Sequence, residues 1–377
     1  MIEFNEEHEA FRTQVRRFVE REIEPHIHAW DEACELPREL YKRTAEAGLL
    51  GLGFPEEYGG VEIPDYGYQL VMFEELCRAG SGGLFAGLWS LGIGLPPIMH
   101  LGTDEQKRRL MAPVLAGDWI SALAVTEPSG GSDVANLKTT AVRDGDHYVV
   151  NGSKTFITSG MRADVITTAV RTGGPGMGGV SILAIEGDTP GLARTPLKKM
   201  GWWCSDTATL YFKDCRVPAS NLIGVENGGF MGIMLNFNNE RLALAAQAIG
   251  MAQCCIDEAT AWAVDRQTFG KPLIKHQVTR HKLIDMNMRV RASRAYLHQV
   301  AAQVQAKKNP IADLCMLKNM ATATAEYVAG EAVQILGGMG YMRETKSERI
   351  FRETKVLSIG GGATEIMKDL AARQMGW

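Results

Sequence analysis

The spacing of hydrophobic positions divides the chain into three segments. In residues 1–118, apolar side chains recur every three or four positions, as at Phe11, Val15 and Phe18, which is the spacing of one helix face. The apolar stretch at 84–99 is predicted to be one further helix of this segment. The first segment therefore predicts an N-terminal α domain.

The middle segment, residues 119–225, changes to short stretches rich in β-branched residues and bounded by turns. Asp144-Gly145 and Asn151-Gly152 are dipeptides typical of the tight turns that join antiparallel strands. The segment therefore predicts a middle antiparallel β domain, either a barrel or a sandwich.

The last segment, residues 226–377, is helical again, with long helices predicted at 276–306 and, after Pro310, at 311–336. Their abundant alanine favours a C-terminal four-helix-bundle domain. The order of helices, strands and helices predicts an α+β fold and excludes a doubly wound α/β sheet. The glycines of 173–179 have no helix after them, so we interpret them as a turn and expect no nicotinamide cofactor.

Composition narrows the class of protein. Hydrophobic residues make up 45% and charged residues 22% of the chain, as is usual for a soluble globular protein. The net charge of −4 does not favour nucleic-acid binding, and no apolar run is long enough for a membrane span. Seven cysteines without a metal-ligand pattern, and an acidic N-terminus without a secretory signal, predict reduced thiols, no metal site and a cytoplasmic protein.

Four stretches, in this order, resemble the acyl-CoA dehydrogenase family. They are AVTEPSGGSD (124–133), KTFITSG (154–160), DRQTFGKPLIKHQ (265–277) and QILGGMGYMRE (334–344), and the similarity extends along nearly the whole chain. The resemblance implies a homotetramer that binds FAD and oxidises acyl-CoA thioesters to trans-2-enoyl-CoA. It also implies that the electrons pass to an electron-transferring flavoprotein.

The first two stretches supply groups that suit a flavin. The Thr126 hydroxyl can donate a hydrogen bond to the ring, Gly131 allows close backbone approach, and Ser132 offers a hydroxyl to phosphate or substrate. By resemblance, Phe156 lies against the flavin and Thr158 close to it, although a plain hairpin core would also explain Phe156. The cofactor-binding residues implied in this segment are Leu123, Val125, Thr126, Gly131, Ser132, Phe156 and Thr158.

The third and fourth stretches resemble the family's contacts from a neighbouring subunit to the adenosine and pyrophosphate. An arginine suits a diphosphate because its guanidinium donates two parallel hydrogen bonds. A solvated arginine and an ordinary helix end would explain single residues of this set. The implied set is Arg266, Thr268, Phe269, Gln277, Gln334, Ile335, Gly337 and Gly338, with Ala363 and Glu365 near the same cofactor. If it holds, the cofactor site needs at least a dimer.

The catalytic base of many family members is missing here. Removal of the weakly acidic α-proton requires a carboxylate, and many relatives carry it at the position of Gly361. We expect Glu240 to replace it. The chain resembles the isovaleryl- and long-chain subgroups, and also citronellyl-CoA dehydrogenases. In the isovaleryl- and long-chain subgroups, the base lies in the same Glu-Arg-Leu context. A surface acid–base pair is the alternative for Glu240 and Arg241. Glu365 is expected to be a cofactor-side or helix-start residue, and the role of catalytic base is its less favoured alternative.

The remaining predictions concern the substrate. The resemblance implies that the Gly361 N–H donates a hydrogen bond to the thioester carbonyl oxygen, where it would stabilise the developing enolate. Space at Gly360 would admit a methyl branch at C3. Gly83 and Gly87 would deepen the tunnel for the acyl tail, although close helix–helix contact would explain these two equally well. Together these glycines suggest a medium or long acyl chain, or a 3-methyl-branched one. The implied substrate residues are Ser132, Gly83, Gly87, Leu91, Asn238, Arg241 and Gly360.

Three alternatives stay open at this point. The same fold could serve an acyl-CoA oxidase, an enzyme that eliminates a group without net oxidation, or a non-catalytic acyl-CoA-binding protein. Reoxidation by oxygen or by a flavoprotein separates the first from a dehydrogenase, and replacement of Glu240 tests the last.

Overall fold

The structure, a computed structural model, describes residues 1–377 apart from the side chain of Leu235. Helices form the first part of the chain, as predicted. They span Glu6–Phe18 (α1), Ile27–Ala33 (α2), Arg38–Glu46 (α3), Gly67–Leu76 (α4), Gly82–Leu88 (α5), Leu91–Gly94 (α6), Pro96–Leu101 (α7), Asp104–Leu110 (α8) and Ala112–Leu115 (α9). A capping box of Asn5 and His8 begins α1, and a second one of Thr103 and Gln106 begins α8.

The predicted helix at 84–99 is wrong in its extent, because α5, α6 and α7 divide this stretch. Trp89 leaves the helical conformation with φ −98° and ψ 22°, and Pro96 opens the next helix. The segment is buried on most sides, so its sequence stays apolar across these breaks and resembles one continuous helix. No single helix of the described chain is long and apolar enough to cross a membrane; only α5 and Leu91–Leu101 together, bent by 49°, reach that length and composition.

Eight strands form one sheet in the middle of the chain. They are Ser121–Ala124 (β1), Thr140–Asp144 (β2), His147–Thr158 (β3), Val165–Arg171 (β4), Val180–Glu186 (β5), Leu192–Pro196 (β6), Thr207–Pro218 (β7) and Leu222–Ile223 (β8). Their order is β6-β7-β3-β2-β4-β5-β8, and β1 pairs with β4 in parallel. The sheet is therefore mixed and not a closed antiparallel barrel, since alternating residues predict a strand but not the direction of its neighbour.

The last part of the chain is a helical bundle with a two-stranded hairpin. Its elements are Gly229–Asp265 (α10), Gln267–Thr268 (β9), Lys271–Pro272 (β10), Gln277–Gln305 (α11), Ile311–Leu336 (α12), Lys346–Leu357 (α13) and Thr364–Gln374 (α14). The predictions for 276–306 and 311–336 are confirmed to within a residue. Small buried residues such as Ala245, Ala248 and Ala252 let α10 pack closely against its neighbours at the centre of the bundle.

Glu353 of α13 joins the three parts of the chain. Its fully buried carboxylate accepts hydrogen bonds from the N–H groups of Gly82 at 2.6 Å and Trp202 at 3.1 Å. Nearby, Asp31 of α2 accepts from Arg352 at 3.2 Å and from the Cys204 N–H at 3.3 Å. The junction therefore fixes the start of α5 against both the sheet and the bundle.

We expect Glu353→Ala to lower the free energy of unfolding by about 3 kcal/mol, because two buried N–H groups lose their acceptor. Thermal unfolding followed by circular dichroism measures the effect. Glu326→Ala, which removes a more exposed acid paired with Lys355, serves as the control and should leave the midpoint nearly unchanged. Equal midpoints for both variants would show that the junction contributes little.

Candidate active site

The candidate base, Glu240, lies on α10 opposite the glycine loop, which we define as Gly360–Gly362. A β-carbon at Gly361 would lie 3.6 Å from Glu240 Oε1 and 2.6 Å from Leu244 Cδ1. The Glu240 carboxyl thus occupies the space into which a side chain at position 361 would extend. Burial raises the pKa of Glu240 to about 7, and the cations of Arg241 and Lys318 act in the opposite direction.

The glycine loop requires glycine for its conformation. Gly361 has φ +65° and Gly362 has φ +111°, which side chains adopt rarely. A β-carbon at Gly362 would also lie 2.3 Å from Met367 Cε. In contrast, a β-carbon at Gly360 would contact only the Val356 carbonyl oxygen, at 3.3 Å, and would otherwise meet open space.

Side chains of α10 and α12 hold the loop by its carbonyl oxygens. Arg241 Nε donates to Gly361 O at 3.3 Å, and Lys318 Nζ donates to Gly362 O at 2.6 Å. Asn319 Nδ2 donates to the Thr364 carbonyl oxygen at 3.0 Å. The loop conformation is therefore set by the bundle.

The two substrate residues predicted on α10 are connected to each other. Asn238 Oδ1 accepts a hydrogen bond from Arg241 at 2.9 Å, and Asn238 Nδ2 donates to Asn309 Oδ1 at 3.2 Å. Because the same guanidinium also contacts Gly361 O, the alternative of a free surface pair for Glu240 and Arg241 does not describe this region. Arg241 is buried and packs against the glycine loop.

The predicted flavin residues of the sheet lie at the end of β1 and in an irregular part of β3. Phe156 has φ +60° and is 69% exposed, at the point where the register of β3 against β7 shifts between Lys154 and Ile157. A hairpin core does not explain an aromatic ring that stands in solvent. Thr158 follows it at the end of β3. Leu123 lies in β1, Val125 is buried just after it, and Gly131 and Ser132 are exposed.

A buried ion pair lies beneath this surface. Lys154, which is fully buried, donates to Glu127 Oε1 at 2.8 Å and to the Val125 carbonyl oxygen at 3.0 Å. Glu127 also accepts hydrogen bonds from the N–H groups of Thr139 at 2.8 Å and Lys138 at 2.7 Å. The pair holds the chain after β1 against β3.

The second predicted cofactor set lies on the surface of the bundle. Phe269, at the tip of the β9–β10 hairpin, is 97% exposed with φ +49°. Thr268 Oγ1 contacts His276 Nε2 at 3.0 Å, and the Arg266 guanidinium lies 5.9 Å from the Trp262 ring centre. The exposed members of this set are Arg266, Phe269, Gln277, Gln334, Gly337 and Gly338, whereas Ile335 is buried in α12.

The end of the chain places Glu365 in the first turn of α14, where it is exposed, with Ala363 as the residue before the helix. A carboxylate at this position is favoured by the partial positive charge of the helix start. This geometry agrees with the helix-start interpretation of Glu365.

The glycines predicted to deepen the acyl tunnel serve packing instead. A β-carbon at Gly83 would lie 2.8 Å from Cys204 Sγ, and one at Gly87 would lie 2.6 Å from Leu36 Cδ1. Leu91 is buried at the start of α6. The expectation of a deep tunnel therefore loses the support of both glycines, and close helix packing explains them.

Sequence reasoning missed Lys318 and Lys154, although a signal existed for each. Lys318 follows Leu314 by four positions and precedes Ala321 by three, so it interrupts the buried stripe of α12. Lys154 likewise lies among buried positions of β3. A charged residue on a buried face is a sign of a specific partner.

Family models now match all three parts of the chain. The N-terminal, middle and C-terminal domains of acyl-CoA dehydrogenase match residues 5–118, 122–215 and 227–376. The chain belongs to the acyl-CoA dehydrogenase family. It is 36% identical over 378 residues, 99% of each chain, to the probable acyl-CoA dehydrogenase YngJ of Bacillus subtilis (strain 168).

Solved acyl-CoA dehydrogenases have the same fold. One is a probable acyl-CoA dehydrogenase from Mycobacterium abscessus, with a TM-score of 0.97 and 50% identity over 99% of both chains. Another is a glutaryl-CoA dehydrogenase from Mycobacterium smegmatis in complex with FADH2, with a TM-score of 0.90 and 25% identity over 99% of this chain and 96% of that chain. The chain is thus an FAD-dependent oxidoreductase that dehydrogenates an acyl-CoA.

The residues present fit FAD. Phe156 offers an exposed aromatic side chain, and Thr158 follows it by two positions. The N–H of Thr155 donates to the Thr126 carbonyl oxygen at 2.9 Å, which places Thr126 beside this part of β3. Within the described residues, the N–H groups of Thr126, Gly131 and Ser132 have no protein acceptor. An acyl-CoA dehydrogenase needs such donors for the flavin edge and the pyrophosphate.

Proposed function

We propose that this acyl-CoA dehydrogenase removes the α-proton of its substrate with Glu240. The observation that carries the proposal is the position of the Glu240 carboxyl, 3.6 Å from where a β-carbon at Gly361 would lie. A base supplied from α10 would therefore act at the place that a loop carboxylate reaches in many relatives. Glu240 is half-buried, as a base that faces substrate must be.

The remaining groups divide the chemistry between them. FAD, when bound, supplies the acceptor for the β-hydride. The ionised Glu240 carboxylate takes the α-proton, and the Gly361 N–H donates a hydrogen bond to the thioester carbonyl oxygen, where negative charge develops. Because the described residues offer that N–H no protein acceptor, it is free for this task.

We propose a compact acyl chain with a methyl branch at C3 as the preferred substrate. Gly360 supports this choice, since open space surrounds its β-carbon position apart from the Val356 carbonyl oxygen. The packing of Gly83 and Gly87 against Cys204 and Leu36 argues against chain length as the main determinant.

Gly360→Val tests the branched-chain proposal. The new side chain should lower kcat/KM for 3-methylbutanoyl-CoA by about tenfold or more relative to butanoyl-CoA, because it fills the space of the branch. Steady-state assays with both substrates measure the ratio. An equal loss of kcat/KM for both thioesters would show that the methyl branch does not lie against Gly360.

We further propose that two copies complete the cofactor site and that a flavoprotein accepts the electrons. The exposed surface with Phe269, Arg266 and Gly337 then contacts FAD bound to the sheet of a second copy. Arg266→Ala should raise the FAD dissociation constant, measured by fluorescence, while Arg280→Ala on the same bundle should not. Reoxidation by an electron-transferring flavoprotein that is much faster than by oxygen would support a dehydrogenase over an oxidase.

The decisive experiment for the proposed function is bleaching of the bound flavin under anaerobic conditions. We expect 3-methyl-branched acyl-CoAs to reduce the flavin faster than straight chains of the same length. A strong preference for butanoyl-CoA would contradict the substrate proposal, and no bleaching by any acyl-CoA would contradict the reaction itself.

A further inference from the structure

Lys318 is a fully buried lysine in the middle of α12. Its ammonium donates to Gly362 O at 2.6 Å, and no carboxylate among the described side chains lies within ion-pair distance of it. Removal of a cation from water is costly unless hydrogen bonds or an opposite charge compensate for it. A methionine or leucine would fill the same position on a buried helix face at lower cost, so the charge itself needs an explanation.

Lys318 and the proposed base lie against neighbouring residues of the glycine loop. Lys318 Nζ donates to Gly362 O at 2.6 Å, and Glu240 Oε1 lies 3.6 Å from the β-carbon position of Gly361. The titratable and charged groups that act on the Lys318 ammonium are Glu240 and Arg241 of α10 and Cys315 of α12 itself. Of these, only Glu240 can carry a full negative charge near neutral pH. Burial lowers the pKa of Lys318 to about 8, so the ammonium is still charged at the pH at which Glu240 ionises.

We propose that Lys318 is a positioning residue for proton abstraction, because it fixes the glycine loop through Gly362 and provides the counter-charge that keeps Glu240 ionised. The inference rests on the proposed function of Glu240. Lys318 does not touch the substrate. It acts through the loop that carries the Gly361 N–H and through its electrostatic effect on the Glu240 carboxylate.

The chain offers variants that separate these two tasks. Lys318→Gln removes the charge and retains a donor for Gly362 O, whereas Lys318→Arg retains the charge. Asn319→Ala removes a neighbouring hydrogen bond, to the Thr364 carbonyl oxygen, without a change in charge. Lys355→Gln is the matched control, since this lysine is 57% exposed and pairs with Glu326 at the surface of α13.

The test is the pH dependence of kcat/KM with an acyl-CoA that bleaches the parent flavin. For Lys318→Gln, the acid limb of the profile should shift to higher pH by about one unit, because the positive charge that favours the ionised Glu240 carboxylate is removed. Activity should then fall about tenfold at pH 6.5 and recover at pH 9. Lys318→Arg should keep the limb of the parent, Asn319→Ala should lower the profile without moving the limb, and Lys355→Gln should match the parent.

A Lys318→Gln profile with the parent's limb would overturn the inference, and so would a shifted limb in Asn319→Ala, because the loop alone would then explain the effect. If Lys318→Gln does not fold, the Arg variant decides: a limb that moves although the charge is retained contradicts the proposal. Failure of the proposed function would give a different result. Glu240→Gln would then retain the parent's rate and the acid limb of its pH profile, independently of the result for the Lys318 variants.

Discussion

A Glu240→Gln variant is expected to reduce its flavin with acyl-CoA about 10²–10⁴-fold more slowly than the parent. Glutamine has the shape of glutamate but cannot accept the α-proton. Glu240 lies on α10 in the bundle, whereas the Phe156 platform belongs to β3, so the substitution should leave FAD content unchanged. Stopped-flow absorbance under anaerobic conditions measures the rate, and the ratio of flavin to protein absorbance checks the cofactor.

The pH dependence of the parent adds a second requirement to this result. Burial raises the pKa of Glu240 to about 7, so the carboxyl is protonated below that pH and cannot act as a base. Flavin reduction by the parent should fall as the pH drops below about 7 and reach a plateau above it. The residual rate of Glu240→Gln should lack this limb, and a variant that keeps it would assign the titration to another group.

Lys154→Met is expected to destabilise the protein by about 3–5 kcal/mol and to release FAD. The substitution leaves the Glu127 carboxylate buried without its counter-charge and removes the hydrogen bond to the Val125 carbonyl oxygen at 3.0 Å. Because Val125 precedes Thr126, the predicted flavin-binding loop should lose its position. Thermal unfolding and the flavin-to-protein absorbance ratio report the two effects.

Lys138→Met is the matched control, since this neighbouring lysine has an exposed side chain and contacts Glu127 only through its main chain.

Burial works to raise the pKa of Glu127, but the Lys154 ammonium and the N–H groups of Thr139 and Lys138 outweigh it and hold the pKa well below its usual range. The resulting stability is present above the unfolded-state pKa of about 4.5 and is lost as the pH falls below it. Equal stability of the two variants would contradict the role of the pair.

The long helices of the bundle were predictable because their local signals agree with the tertiary structure. Pro310 directly precedes α12, and apolar positions continue to Leu336. The stretch at 84–99 was predicted wrongly since its apolar pattern is continuous, whereas the backbone turns at Trp89. The parallel pairing of β1 with β4 could not be predicted, because alternation along a strand contains no information about its neighbour.

The candidate site was predictable only in part for a related reason. The Glu-Arg-Leu context singled out Glu240, and the glycine at 361 marked the absent loop acid. The carbonyl that Lys318 binds lies 44 positions further along the chain, and only the fold brings the two together. The sequence also assigned Gly83 and Gly87 to a tunnel, although their neighbours, Cys204 and Leu36, fill that space.

The most direct test of the central claim compares anaerobic flavin reduction by Glu240→Gln and Glu365→Gln with the same acyl-CoA. Both acids are close to the glycine loop, but only Glu240 lies where a side chain at Gly361 would extend, and Glu365 is exposed in the first turn of α14. We predict that Glu240→Gln loses rapid flavin reduction and that Glu365→Gln, saturated with FAD, retains it. Rapid reduction by Glu240→Gln together with its loss in Glu365→Gln would contradict the assignment of the base.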